Sequence, residues 1–566
     1  MKRITGLWLA MMIATTLFGG VSFAEQHTVK ASVTGSSTYV DGKPNSGYGF
    51  NIAGSNYYKL RDIARYFSGT ASQFALSWNH TSHAIEITTG KPYTPERNER
   101  DTYYYSGRTY MATLSTAKLL INGKPQSIVA YTVDNNTYFQ LRDLADKIPF
   151  EIAYDPAADR ISMFSRTPDN AYRAKTETGA SGNEVSSYFP RWRSTVTSYA
   201  VSNGDGTISA IEAGAAVTIE TYNAGYGRIA AKKIKNELPL FGGFYSGAAY
   251  NYLAFGQENR EENDDKEVIR IVRYDKSWNR VDSVSVKGGE SYTIVPFDAG
   301  SGRFAENGNT LVFHTARTRY TTEDGLNHQS QLTIIVNTSN MAVTNDLGRF
   351  QANHVSHSFD QYVQFDGGEH VLIDHGDAYP RSVVLQKGDG KNYDAVDLFT
   401  IPGSIGANAT GVSVGGFEQS ASNYIVAMNT VNHALVQTYT SYEMVGLAVD
   451  QRDIVLCVLP KNSMTASAVK RLTVAKYVGS DKIASIPKLV KIADDKLMVL
   501  WQEFDMAGNA GAVKYAYVDG NGNTAGAIQT LPNFKLSEAN PIVSGGKVVW
   551  YTDSNGTRIF YSIPLK

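Results

Sequence analysis

Six short phrases recur along the last two thirds of this chain: YLAFGQ at 252–257, LVFHT at 311–315, VLIDHG at 371–376, IVAMNT at 425–430, MVLWQE at 498–503 and VVWYTD at 548–553. Most are followed by a polar loop and a second apolar run, as in VIRIVRYD, LTIIVNT, SVVLQK, DIVLCVLP, VKYAYVDG and RIFYSI. Two units agree over a longer stretch: GGFYSGAAYNYLAFGQ at 242–257 and GGFEQSASNYIVAMNT at 415–430. Units spaced by about 45–75 residues and made of strand, turn and strand cannot bury an apolar face alone. They must stack on copies of themselves. Residues 189–566 are therefore expected to form a large all-β domain, a six- or seven-bladed β-propeller. Seven is favoured, with the last blade closed by strands from both ends. A pair of β-sandwiches is the alternative.

A different repeat lies upstream. NYYKLRDIARYF at 56–67 returns as NTYFQLRDLADKI at 136–148, and with Gly42 set against Gly123 the copies run ungapped for about 25 residues. VDGKP meets INGKP, and the runs HAIEITT and DRISMFS close the two copies. Leu60, Ile63, Ala64 and Phe67 fall at i, i+3, i+4 and i+7, one apolar face of a helix. Each copy reads as a short helix on a small antiparallel sheet. The modules are placed at 31–92 and 108–166. Arg61-Asp62 and Arg142-Asp143 read as ion pairs at the helix starts.

GKP, NYYKLRDIA, SW and IEITTG resemble the copper amine oxidase N-terminal, or stalk, domain found in exported proteins of Gram-positive bacteria. The resemblance covers about 31–166 in two copies. It implies α+β stalk modules that carry no copper and perform no catalysis. The chain itself is not expected to be a copper amine oxidase. Asn392, Tyr393 and Asp394 mimic the quinone-forming tripeptide, but Asp389 stands where the family has Thr. Copper also needs a nitrogen-rich set of imidazoles, and only His433 follows Tyr393. The tripeptide is expected in a turn.

The N-terminus reads as a signal peptide over 1–24: Lys2 and Arg3, then an apolar stretch at 7–18, then Ser22-Phe23-Ala24 before Glu25. No second span of membrane length follows, so no transmembrane segment is expected after cleavage. The protein is expected outside the cell or at its surface. Lys+Arg 53 against Asp+Glu 54 supplies no basic stripe, which argues against nucleic acid. The single cysteine, Cys457, lies in an apolar run and is expected to be buried and inert. Residues 167–188 are polar and read as a linker. NGDGTISAIE at 203–212 mimics a calcium loop, but Val201 stands where an acid is required. A hairpin turn is expected there.

Candidate chemistry gathers between 314 and 375, which hold six of the ten His. In the repeat register His314, Asp374 and His375 lie at equivalent strand ends and are expected near one propeller mouth. The candidate ligand-binding rim is His314, Arg317, His328, His354, His357, Asp374, His375, Asp377 and Arg381, with Arg303, Tyr320 and Tyr379 nearby. No catalytic residue, cofactor or metal site is assigned. The pattern points to a secreted or cell-surface binding protein whose partner is a cell-envelope component or an extracellular glycan or anionic ligand. Structural hydrogen bonds between blades would account for the same residues. So would an extracellular carbohydrate-active or transfer enzyme using a His/Asp pair.

Overall fold

A computed structural model describes residues 28–565 apart from 41–42, 46, 71, 96–103, 105–106, 146, 149, 156–158, 166–170, 177–181, 191, 408–409, 437, 440–443, 446–450 and 555–556. The expected signal segment lies outside the described residues. The chain forms two compact units, 1–166 and 167–566. Among the described residues no helix is long and apolar enough to cross a membrane.

In the N-terminal unit the helix Leu60–Phe67 buries Leu60, Ile63, Ala64 and Phe67, the face read from the sequence. Asp62 in its first turn and Arg65 in its last complement the helix dipole. The second copy has the shorter helix Leu141–Ala145, which buries Leu141 and Leu144. The sheets correct the expectation of two self-contained modules. One closed barrel takes Thr28–Val33, Gly49–Ile52 and Ser55–Lys59 from the first copy and Thr109–Leu114, Ala130–Val133 and Asn136–Gln140 from the second.

The repeated phrase pairs with itself, since Tyr58 lies opposite Phe139, its own equivalent 81 positions on. Lys30 lies opposite Met111 in the same way. The copies also trade strands: Ala84–Thr89 runs parallel to Lys118–Ile121, and Arg160–Phe164 runs parallel to Ser37–Val40. Each copy thus covers an edge that would stand unpaired in isolation. The core crosses the boundary too, with the Phe67 and Phe150 rings 4.8 Å apart.

In the C-terminal unit, among the described residues, seven antiparallel sheets of four or five strands follow one another along the chain. Their innermost strands are Ser198–Ser202, Leu240–Ser246, Arg303–Asn307, Ser358–Asp366, Val412–Gln419, Lys488–Ala493 and Ile542–Ser544. Neighbouring sheets pack on one another, and the last packs on the first. The arrangement is propeller-type. Each of the six recurring phrases is the second strand of its sheet. That strand is covered on both faces, which is why it reads as a continuous apolar run. The GGF doublets belong to innermost strands. A Cβ on Gly416 would stand 2.6 Å from Leu489 Cβ, so only glycine lets adjacent sheets approach so closely there.

The seventh sheet is completed from the far end of the unit. Ala171–Lys175 pairs antiparallel with Thr557–Pro564, Tyr172 opposite Phe560. This corrects the linker at 167–188, whose alternating stretch AYRAK fills an edge that the C-terminal hairpin leaves open. A buried ionic cluster joins this sheet to the first. Arg558 holds Asp553 through two bonds of 2.7 and 2.8 Å and Glu220 at 3.0 Å. Tyr551 and Ser198 hydroxyls both donate to Glu212, at 2.6 Å each. Burial, helped by Asp553, pushes the Glu212 carboxyl up to about 8. NGDG is the turn of the hairpin between Ser198–Ser202 and Ile208–Ala213, with Gly206 at φ 83°.

Candidate functional site

After the strand Ala171–Lys175 the chain does not pass directly to the first sheet. Val185 N–H donates to Leu536 O, and Glu184 pairs with Lys535 at 2.7 Å. Arg452 lies 4.0 Å over the Phe189 ring. Arg193 Nε donates to Asp360 at 2.7 Å, and its Nη2 reaches Val414 O at 3.3 Å. Val196 N–H reaches Ser301 O. The described residues of 183–197, all but 191, therefore touch the seventh, fifth, fourth and third sheets in turn, on the side where their innermost strands begin. They form a strap over the mouth that the sequence assigned to ligands. Burial pushes Lys488 down, against the pull of Glu538, and Arg303 and Arg193 push it the same way. Arg303 lies 4.9 Å over the Tyr362 ring.

The expected rim residues divide into separate groups beneath and beside this strap. His314 is fully buried, with Nδ1 on Thr333 Oγ1 at 2.9 Å and Nε2 on Asp374 Oδ2 at 3.1 Å. Asp374 also accepts from Ser358 at 2.6 Å. This set joins the third sheet to the fourth. His375 lies 3.0 Å from Thr410 Oγ1 and 3.5 Å from Asp360 Oδ2. Burial opposes ionisation of Asp360, but Arg193 and His375 hold its carboxyl below the usual range.

His357 sits where the chain turns, at φ 55°, and lies 2.9 Å from Asp377. Its ring lies 6.3 Å from that of His328, which is itself 2.7 Å from Asp324. Arg381 donates to Asp377 O at 3.0 Å and to Pro402 O at 3.1 Å, pinning a loop. Arg317 and His354 lie apart from all of these pairs.

The single convergent rim is therefore corrected. His314 points from the third sheet to Asp374 of the fourth, while period-two alternation sends His375 to the other face of its strand from Asp374, where it meets Thr410 ahead of the fifth sheet and Asp360 of its own. Among the described residues no group of three or more His, Cys, Asp or Glu is placed to hold a metal ion. Tyr379 is exposed, while the Tyr320 hydroxyl accepts from Asn259 at 3.0 Å. Asn392 lies in a turn, where its N–H donates to Asp389 Oδ1 at 2.9 Å. Tyr393 and Asp394 instead open the strand Tyr393–Thr400, which corrects the expected turn for them, and the Tyr393 ring lies tilted 5.7 Å from that of His370. Cys457 is buried, and burial pushes its thiol up to about 12.

Sequence reasoning missed Arg193, Asp360 and Arg319. Arg193 sits in a stretch with no period. Arg319 had a signal: RTR places two arginines two apart in a strand that is otherwise covered.

No family model and no curated protein matches the chain. Distant likenesses exist among solved structures. A Synechocystis apocarotenoid oxygenase variant has 10% identity and a TM-score of 0.29, covering 77% of this chain and 86% of that one. A chain of the Drosophila Plexin A complex with Semaphorin 1b has 9% identity and a TM-score of 0.35, covering 68% and 88%. A prolyl endopeptidase has 9% identity and a TM-score of 0.35, covering 66% and 51%.

Proposed function

We propose that this is a secreted or cell-surface binding protein of a Gram-positive-type bacterium. Its duplicated N-terminal unit, similar in sequence to amine oxidase stalk domains, tethers or positions a seven-bladed β-propeller. The ring of seven sheets supports that blade count. One observation carries the choice of binding over catalysis. The buried pair His314–Asp374 joins the third sheet to the fourth, and covered His375 is held by Thr410 and by Asp360 of its own sheet, so that their polar atoms are taken by protein partners. A general acid or base must instead face the proton it moves. The test is fractionation of cells making the full chain, followed by a glycan and metabolite binding screen on the recovered protein. Recovery from the envelope or the medium, with a ligand retained, is the expected result. Recovery wholly from the cytoplasm would sink the proposal.

A further inference from the structure

Thr315, Arg317 and Arg319 alternate along the strand Thr310–Arg319 and so share one of its faces. Arg317 is 1% exposed and Arg319 3%. Their guanidinium groups reach only main-chain oxygens. Arg317 Nη2 donates to Gly348 O at 2.9 Å and reaches Arg349 O at 3.4 Å, and Arg319 Nη1 reaches Arg349 O at 3.5 Å. Arg317 Nε and Nη1, Arg319 Nε and Thr315 Oγ1 have no hydrogen-bond partner.

More positive groups crowd the same place. Arg349 lies 5.1 Å over the Tyr292 ring. Arg319 lies 4.6 Å over Phe350, whose ring meets His354 edge-on at 4.9 Å. The carboxylates that act on the cluster do so only at longer range and are already engaged, Asp324 by His328, Asp374 by His314 and Ser358, and Glu262, which faces Arg349, by Thr321. Burial and the Arg319 charge push Arg317 down to about 9. Burial, Arg319 and Arg317 together push His354 down to about 4.

The contrast within the unit is sharp. Arg558, also fully buried, is matched by Asp553 and Glu220. A guanidinium withdrawn from water without a counter-ion is strongly unfavourable, and its planar fork matches an oxyanion through paired N–H bonds. Exposed Phe350 and half-buried Arg349 and His354 place this cluster beside solvent.

We propose that Arg317, Arg319, Arg349 and His354 form a site for an oxyanion, carboxylate or phosphoryl, carried by the ligand of this unit. The role of the site rests on the binding reading above; its chemistry does not. The test uses the full chain, with calorimetric titration and thermal melting in inorganic phosphate, in citrate, and in chloride at matched ionic strength. Phosphate or citrate should bind saturably and raise the melting temperature above the chloride control. The anion that binds more tightly identifies the group. Arg349→Ala should weaken that binding at least tenfold. Arg317→Met should abolish it and raise the melting temperature of the anion-free protein, because an uncompensated buried charge is gone.

A merely structural Arg317 would do the opposite, lowering the melting temperature of its variant and leaving the anion response intact. That result, or no saturable binding of either anion, overturns the proposal. If the site fails while envelope-derived protein still retains a ligand, only this inference falls.

Discussion

In the N-terminal unit two repeats exchange strands, and neither holds a complete sheet. In the C-terminal unit the repeats stand side by side, and only the seventh sheet borrows a strand from elsewhere in the sequence. Two copies of a small element leave too many open edges and too little core to stand apart, so they close on each other. Seven copies can each keep their own hydrogen bonds and bury only side chains against their neighbours. The first solution makes the pair the folding unit. The second concentrates dependence at one seam.

The largest expected effect follows from the strand exchange. A fragment ending at residue 95 should be unfolded by circular dichroism, whereas residues 25–166 should melt cooperatively. A folded first copy would remove the comparison. Phe67→Ala opens a cavity at the shared core and should destabilise the N-terminal unit by about 3–5 kcal/mol. The C-terminal transition in a calorimetric scan should stay in place.

Arg558→Met leaves Asp553 buried without its cation and Glu220 with Arg228 alone. It should destabilise the C-terminal unit by about 3–5 kcal/mol, and Arg558→Met with Asp553→Leu should recover part of that. Full stability in the single variant would mean that the seam does not depend on this cluster.

A smaller, pH-dependent effect belongs inside one sheet. His370 is buried against Phe365 and Tyr393, and its ring nitrogens have no partner. Burial pushes it down to about 4. The fold keeps this imidazole neutral while the unfolded chain takes up a proton near pH 6.5, so acid favours unfolding. Stability present above pH 6.5 should decline as the pH falls to 4, by roughly 3 kcal/mol from this group. His370→Phe should flatten that part of the urea-denaturation profile, and an unchanged profile would assign the acid loss elsewhere. The smallest effect is at Cys457. The native protein should resist alkylation at pH 8 and react only when denatured.

Much of this architecture was legible from residues alone. The face of Leu60, Ile63, Ala64 and Phe67 was visible because a helix stripe is local. The six phrases were visible because a doubly covered strand leaves a run of apolar residues wherever it occurs. Strand exchange was not legible, since Ala84–Thr89 has the same composition whichever copy it joins. Nor was the strap, because 183–197 is held by single contacts such as Arg193 to Asp360 that leave no period. His314 and Asp374 were read as members of one open rim, but whether such groups face water or another sheet depends on a neighbour some 60 residues away. Arg319 could have been read beside Arg317 from their spacing.

Ala171–Lys175 also sets an order of events. It is synthesised first among the strands of its unit and finds its partner about 390 residues later. Until then Thr557–Pro564 does not exist, and the six intervening sheets can form only an open arc. Closing a loop of that length adds little entropy beyond that of a shorter one, but it must wait until Thr557–Pro564 has been made. Ring closure thus registers that synthesis has passed the last strand of this unit. A chain that stops anywhere before residue 557 leaves a sheet edge unpaired at its own beginning, open to a second truncated copy or to a protease.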